Sequence, residues 1–116
     1  MNPASGELPL EVSVDDVVYL LGLPTGRPRL IDCRELDEWA ICHLAEAELI
    51  PLSQFAELAP QRFHDTTQHI VIYCHHGMRS QRAAAWLRQH GFGRVQSMRG
   101  GIDAWSEMVD PAVPRY

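Results

Sequence analysis

Two kinds of apolar pattern alternate along this chain, unbroken short runs and runs spaced by three and four. Ile70 to Tyr73 is the clearest of the first kind: four apolar residues without alternation, mostly β-branched or aromatic. That is the pattern of a strand buried on both faces of a parallel sheet. Arg29 to Asp32 and Val95 to Met98 predict further strands, and Leu10 to Val12 and Glu48 to Ile50 shorter ones. The second kind falls between them. Val14, Val17, Val18 and Leu21 follow Ser13, a good N-cap, and predict a helix over 14 to 21 that Gly22 and Pro24 end. Leu36, Trp39 and Ala40 make one apolar side of a short helix, and Leu52, Phe55, Ala56 and Ala59 another that Pro60 is expected to stop. Ala83, Ala84 and Leu87 predict a helix over 80 to 90, with Gly91 suited to a left-handed cap, and Ile102, Trp105 and Met108 mark a last helix.

Strands alternating with helices across short connections imply an α/β fold, with a mainly parallel central sheet of about five strands and helices on both faces. Residues 1–9 read as a flexible lead-in, 10–109 as the domain and 110–116 as a C-terminal tail. A chain of 116 residues holds one such domain. In open α/β sheets ligands sit beyond the carboxyl ends of the strands, which directs attention to the residues just after Tyr73.

Composition narrows the partners. There is no lysine, and ten arginines against fifteen acidic residues leave a formal net charge of -5, which argues against nucleic acid as the main partner. No apolar run is long enough to span a bilayer, and the first residues lack the basic-then-apolar order of a secretory signal. No membrane association is expected, and the cytoplasm is the expected compartment. Three of the arginines, Arg79, Arg82 and Arg88, fall after the central strand, as local anion attraction on an acidic body. Three well-separated cysteines, Cys33, Cys42 and Cys74, make a disulfide framework improbable and a thiol with its own chemistry worth testing.

Cys74 is that thiol. It ends the central strand, and the polar loop behind it runs straight into a helix amino terminus, where unpaired N–H groups and nearby cations lower a thiol's pKa. If the loop curls around the sulfur, N–H groups from about His75 to Ser80 form an anion cradle, with Gly77 permitting the curl and Arg79 adding a fork suited to an oxyanion.

Cys74-His-His-Gly-Met-Arg79-Ser80 resembles the active loop of the rhodanese family of sulfurtransferases, Cys-x-x-Gly-x-Arg-Ser. Asp32-Cys33-Arg34 resembles the family's Asp-x-Arg motif, Glu38 and His43 match positions upstream of the middle strand, and Gly100-Gly101-Ile102-x-Ala104-Trp105 resembles its closing element. The resemblance covers roughly residues 10 to 109. It implies a single-domain, rhodanese-like fold and a sulfurtransferase that moves a sulfane sulfur, through a persulfide on Cys74, from a donor such as thiosulfate to a thiophilic acceptor: cyanide, a thiol or a sulfur-carrier protein. His75, His76, Gly77, Met78, Arg79 and Ser80 would bind and admit substrate, and Asp32 and Arg34 would brace the floor. No cofactor is implied. No metal site is expected either, since adjacent histidines in a tight loop point apart and no standard zinc spacing occurs.

Two departures stand out. Ala45-Glu46 replaces the Pro-Gly many relatives have, and Cys42 takes a position often held by glycine. Other functions also fit parts of the pattern. Phosphatases and arsenate reductases on this scaffold have five residues between cysteine and arginine, whereas here there are four, which suits a single sulfur better than a tetrahedral oxyanion. Non-catalytic, partner-docking modules typically lack the cysteine. The tail Asp110 to Tyr116 is reminiscent of modules attached to enzymes that activate sulfur-carrier proteins, so a sulfur-carrier protein or a cysteine desulfurase is a candidate partner. Cys33 and Cys42 read as small core or near-surface residues, with a resolving role for Cys33 open because it too follows a strand end. The three tryptophans read as core, and Arg82 and Arg88 as a solvated helix face.

Overall fold

The computed structural model describes residues 8–116, so most of the 1–9 lead-in lies outside the described residues. Five strands form one parallel sheet: β1 (Glu11–Val12), β2 (Arg29–Asp32), β3 (Glu48–Leu49), β4 (Ile70–Tyr73) and β5 (Val95–Met98), in the order β1-β5-β4-β2-β3. Four α-helices connect them, α1 (Val14–Leu21), α2 (Leu36–Ile41), α3 (Phe55–Arg62) and α4 (Met78–Gln89), and α5 (Gly101–Met108) follows β5.

The unbroken apolar run of β4 is explained by two cores, one on each face. Ile70 and Ile72, with Ile31 of β2 and Val95 of β5, pack on one side against Phe55 and Ala59 of α3 and Ala83, Ala84 and Leu87 of α4. Val71 and Tyr73, with Leu30, Val12 and Met98, pack on the other against Val14 and Val17 of α1 and Ile102 of α5. Successive strand residues point to opposite faces, so a strand buried on both must be apolar throughout.

Several local expectations fail for identifiable reasons. Pro60 does not stop α3, which runs on to Arg62. The carbonyl that loses its partner to proline belongs to Ala56, and both residues are on the exposed side, where water can serve it. Helix α2 buries no residue: Leu36, expected on an apolar side, is 66% exposed. None of the three tryptophans is fully buried; Trp39 and Trp86 each stack on a histidine one turn on, His43 and His90. Arg88 is not solvated but half-buried, donating to the carbonyls of Val95, Leu8 and Pro9. At the turn where Ala45-Glu46 stands in place of Pro-Gly, Glu46 has a φ of 67°. The cap after α4 does form, with Gly91 at φ 96° and the Phe92 N–H reaching back to the Leu87 carbonyl.

Candidate active site

The site is built at the carboxyl ends of β2 and β4. Asp32 pairs with Tyr73 across the two strands, and the Cys33 N–H donates to the Tyr73 carbonyl at 3.0 Å, so Cys33 and Cys74 follow side by side. Both are essentially inaccessible, at 0% and 1% exposure.

After Cys74 the chain turns within three residues. Gly77 has a φ of 110° and caps α4, which begins at Met78, two residues earlier than its apolar spacing predicts. Arg79 and Ser80 thus belong to the first helical turn, whose N–H groups have no intrahelical acceptor. Two of the loop's N–H groups find the sulfur: Gly77 donates to Cys74 Sγ at 3.0 Å and Ser80 at 3.4 Å. Ser80 Oγ lies 3.5 Å from the same sulfur, 3.1 Å from the Gly77 carbonyl and 2.7 Å from Ser97 Oγ on β5.

The loop's carbonyls are held from beneath. Those of Cys74 and His75 accept from the Ile102 and Asp103 N–H groups of α5 at 2.8 and 3.1 Å. Gly101 lets the two segments approach this closely: a Cβ there would lie 2.4 Å from both carbonyl oxygens, and its φ is +63°. With its carbonyls drawn toward α5, the loop is free to aim N–H groups at the sulfur.

These contacts set the charge of Cys74. Its thiol is lowered to about 4, first by the neighbouring Cys33 thiol, and further by the Ser80 hydroxyl and the Ser80 and Gly77 N–H groups; burial opposes them and loses. Cys33 moves the other way, pushed up by the Cys74 sulfur and by its own burial, and keeps its proton. At neutral pH the pair is one thiolate and one thiol.

Asp32 and Arg34 form a buried ion pair at the carboxyl end of β2, with Arg34 Nη2 2.7 Å from Asp32 Oδ2 and Nε 3.0 Å from Oδ1, both side chains at zero exposure. Arg34 also donates to the Cys42 carbonyl and to Tyr116 Oη, each at 2.6 Å. Arg79 does not present an open fork. Its two terminal nitrogens bind the Glu38 carboxylate at 2.7 and 2.9 Å, and this pairing holds Glu38 down at about 2.

His75 is not a freely solvated residue. Its ring is stacked on Tyr116 at 3.9 Å and 5° and against His76 at 3.9 Å, and its Nε2 is buried without a hydrogen-bond partner. Burial first, and His76 next, lower its pKa, so it is neutral at neutral pH. His76 and Met78 face outward, Met78 at 76% exposure. The structure therefore brings Cys74, Gly77 and Ser80 together at the sulfur, with His75, His76, Met78 and Arg79 in the same loop and first helical turn, while Asp32 and Arg34 are buried at the end of β2, where Arg34 contacts Tyr116 and the Cys42 carbonyl.

Two contributors escape a reading of the sequence. Ser97 is a polar residue in a fully buried strand, which is a usable signal. Tyr116 links Arg34, Glu38 and His75 from the far end of the chain, and no local pattern announces it. A separate cavity of about 550 Å³ lies between α1, the 43–46 turn and α5, away from this chemistry. Among the described residues no three His, Cys, Asp or Glu side chains are grouped to hold a metal ion, and no helix is long and apolar enough to cross a membrane.

Comparison with known proteins agrees with this geometry. The family model for the rhodanese-like domain matches residues 17–108. The chain is 34% identical to the thiosulfate sulfurtransferase GlpE of Pseudoalteromonas translucida, over 74% of this chain and 80% of the relative. It is 35% identical to the adenylyltransferase and sulfurtransferase uba4 of Aspergillus terreus, over 82% of this chain and 24% of that protein. The chain spans between a fifth and a third of the length of several such curated relatives. Among solved structures, the human single-domain sulfurtransferase TSTD1 superposes with a TM-score of 0.75 at 26% identity, covering 87% of this chain and 98% of its own. With a parallel five-stranded sheet, a cysteine loop at its carboxyl edge and a family match over most of its length, this chain belongs to the rhodanese-like domain family.

Proposed function

We propose that this protein is a sulfurtransferase that carries a sulfane sulfur as a persulfide on Cys74. The observation that most supports this is the sulfur itself: a buried thiol, lowered to about 4, with two loop N–H groups aimed at it and only four residues between Cys74 and Arg79. In the first half-reaction the Cys74 thiolate attacks the outer sulfur of thiosulfate, the sulfur–sulfur bond breaks and sulfite leaves with the electron pair. In the second, the acceptor attacks the outer sulfur and Cys74 departs as thiolate. A low-pKa thiolate is a good leaving group, so the contacts that generate the nucleophile also favour its release.

Gly77 and Ser80 hold the sulfur. His75, His76 and Met78 shape access, and Arg79 would exchange Glu38 for the donor's oxyanion, while Asp32 and Arg34 keep the floor rigid. No cofactor enters either step. A small-molecule donor and acceptor are the proposed substrates, with a sulfur-carrier protein or cysteine desulfurase as a further partner; the sulfurtransferase named in the uba4 relative supports that class. The cytoplasm, where thiols stay reduced, is the proposed compartment.

Incubation with thiosulfate should add the mass of one sulfur to Cys74 and none to a Cys74→Ser variant, and cyanide should then remove it as thiocyanate. A Cys74→Ser protein that still gains sulfur rejects the assignment.

A further inference from the structure

Cys33 has no part in sulfur transfer beyond lending its proton's influence, yet its placement suits it for more. Asp32 and Tyr73 are in register across β2 and β4, and the next residue on each strand is a cysteine. Both cysteines belong to the same core on the same face of the sheet. Neighbouring strands are about 4.8 Å apart, within the span of roughly 4.4–6.8 Å between α-carbons that a disulfide bridges. Each cysteine is also the largest influence on the other's pKa, raising that of Cys33 and lowering that of Cys74. Cys42 is the contrast: half-buried, beside the other core, with its thiol directed at the Pro114 carbonyl.

We propose that Cys33 is a resolving thiol for a sulfur-loaded Cys74, releasing hydrosulfide and leaving a Cys33–Cys74 disulfide. The inference rests on the persulfide on Cys74 and extends it to a second outcome. Cys33 Sγ attacks Cys74 Sγ, a Cys33–Cys74 bond forms, and the bond from Cys74 to the outer sulfur breaks. The electron pair leaves on the outer sulfur, which departs as hydrosulfide, the Cys33 proton balancing the charge. Cys33 sulfur is oxidised and the outer sulfur reduced by the same amount, so no external oxidant is required. A dithiol reductant, itself oxidised to a disulfide, restores the two thiols.

Burial favours this route. The sulfur that must be attacked to release hydrosulfide is Cys74 Sγ, on a residue 1% exposed; Cys33 shares its core, which an external thiol would have to enter. In the resting pair the Cys74 charge discourages loss of the Cys33 proton; once Cys74 carries a second sulfur, the negative charge moves outward and that obstacle weakens. The protein would then pass sulfur on when an acceptor is docked and discharge it as hydrosulfide when none is.

The test loads Cys74 with sodium tetrasulfide, which delivers sulfur to a thiolate whether or not thiosulfate is a donor, then removes excess reagent and holds the protein without oxygen or thiols. Trypsin places the three cysteines in separate peptides, residues 30–34, 35–62 and 63–79. The wild-type chain should evolve one hydrosulfide per molecule, end two hydrogens lighter than the reduced protein, and show peptides 30–34 and 63–79 linked. The rate should not depend on protein concentration. Cys42→Ser should behave alike, and Cys33→Ser, which keeps a hydrogen-bond donor beside the sulfur, should hold its added sulfur at least ~10-fold longer.

Equal decay in wild type and Cys33→Ser, or hydrosulfide release with Cys33 still free, overturns the inference. A protein that accepts sulfur from tetrasulfide but not thiosulfate overturns the donor reading alone, and the Cys33 comparison still decides this one. Cys74 refusing sulfur from both overturns the two together.

Discussion

The floor and the rim of the Cys74 site are built on opposite terms. At the carboxyl edge of the sheet, Asp32, Cys33, Arg34, Ser80 and Ser97 are all at zero exposure, and each of the polar ones is hydrogen-bonded to another member or to the loop. Around it, Leu36 is 66% exposed and Met78 76%, and helix α2 buries nothing, being tied to the fold through the Glu38–Arg79 pair and the bonds that Ser53 donates to the Glu35 carboxylate at its cap. Of the buried set, Cys33 and Ser80, together with the Gly77 N–H, set the charge of the sulfur. Around the loop Arg79 is held by Glu38 and His75 by Tyr116, whereas Leu36 and Met78 carry no such constraint.

The comparison breaks most sharply at Asp32. Replacing it with alanine leaves the Arg34 guanidinium buried without its counter-ion, and the expected loss is about 3–5 kcal/mol in urea unfolding. A loss below about 1 kcal/mol would show that the floor tolerates disorder and that the division is wrong. Acidification tests the floor's effect on the sulfur. With the thiol at about 4, the thiolate is present above that value and lost only as pH falls through it, so Cys74 alkylation should hardly change between about pH 7 and 5. An ordinary thiol, with its pKa near 8.5, would slow by roughly 100-fold over that interval.

Gly101→Ala tests the underside. Its Cβ would collide with the Cys74 and His75 carbonyls in a backbone conformation that already disfavours alanine, and the loop must shift. A destabilisation of about 2–3 kcal/mol, with slower sulfur loading, is expected. The smallest effect belongs to the rim: Leu36→Ala and Met78→Ala should each change stability by no more than ~0.5 kcal/mol and leave loading by thiosulfate intact. Any change they cause should appear with a protein acceptor, as a KM difference; a large loss of stability in either would place that residue with the floor.

The sheet and the sulfur loop are legible in the sequence because both are local. Four apolar residues in a row fit a strand covered on both sides, and Cys74, Gly77 and Ser80 lie within seven positions of one another. The features that stay hidden depend on contacts across the chain. A short helix with Leu36, Trp39 and Ala40 on one side has the spacing of a core helix whether it faces the core or the rim, and the ion pair that anchors α2 is 41 residues away at Arg79. Pro60 signals an end only where the freed carbonyl is buried, and here it is exposed. Tyr116 carries no periodicity, and only the fold brings it onto His75 and Arg34. Glu46 is an intermediate case: the missing glycine is visible in the sequence, and its cost appears as a left-handed glutamate.

The strand order has a consequence for how this molecule assembles. Glu11 pairs with Ser97, so β1, two residues long and at the sheet's edge, is sewn to the chain's last strand across most of its length. Closing so long a loop costs entropy that neighbouring segments do not face, and the seam is expected to join late and to open first. The amides of Ser97 and Arg99, which donate to the Leu10 and Val12 carbonyls, are where exchange with solvent should report that opening. Ser97 also touches Ser80 beside the sulfur, so the seam expected to open first runs one residue from the reactive atom.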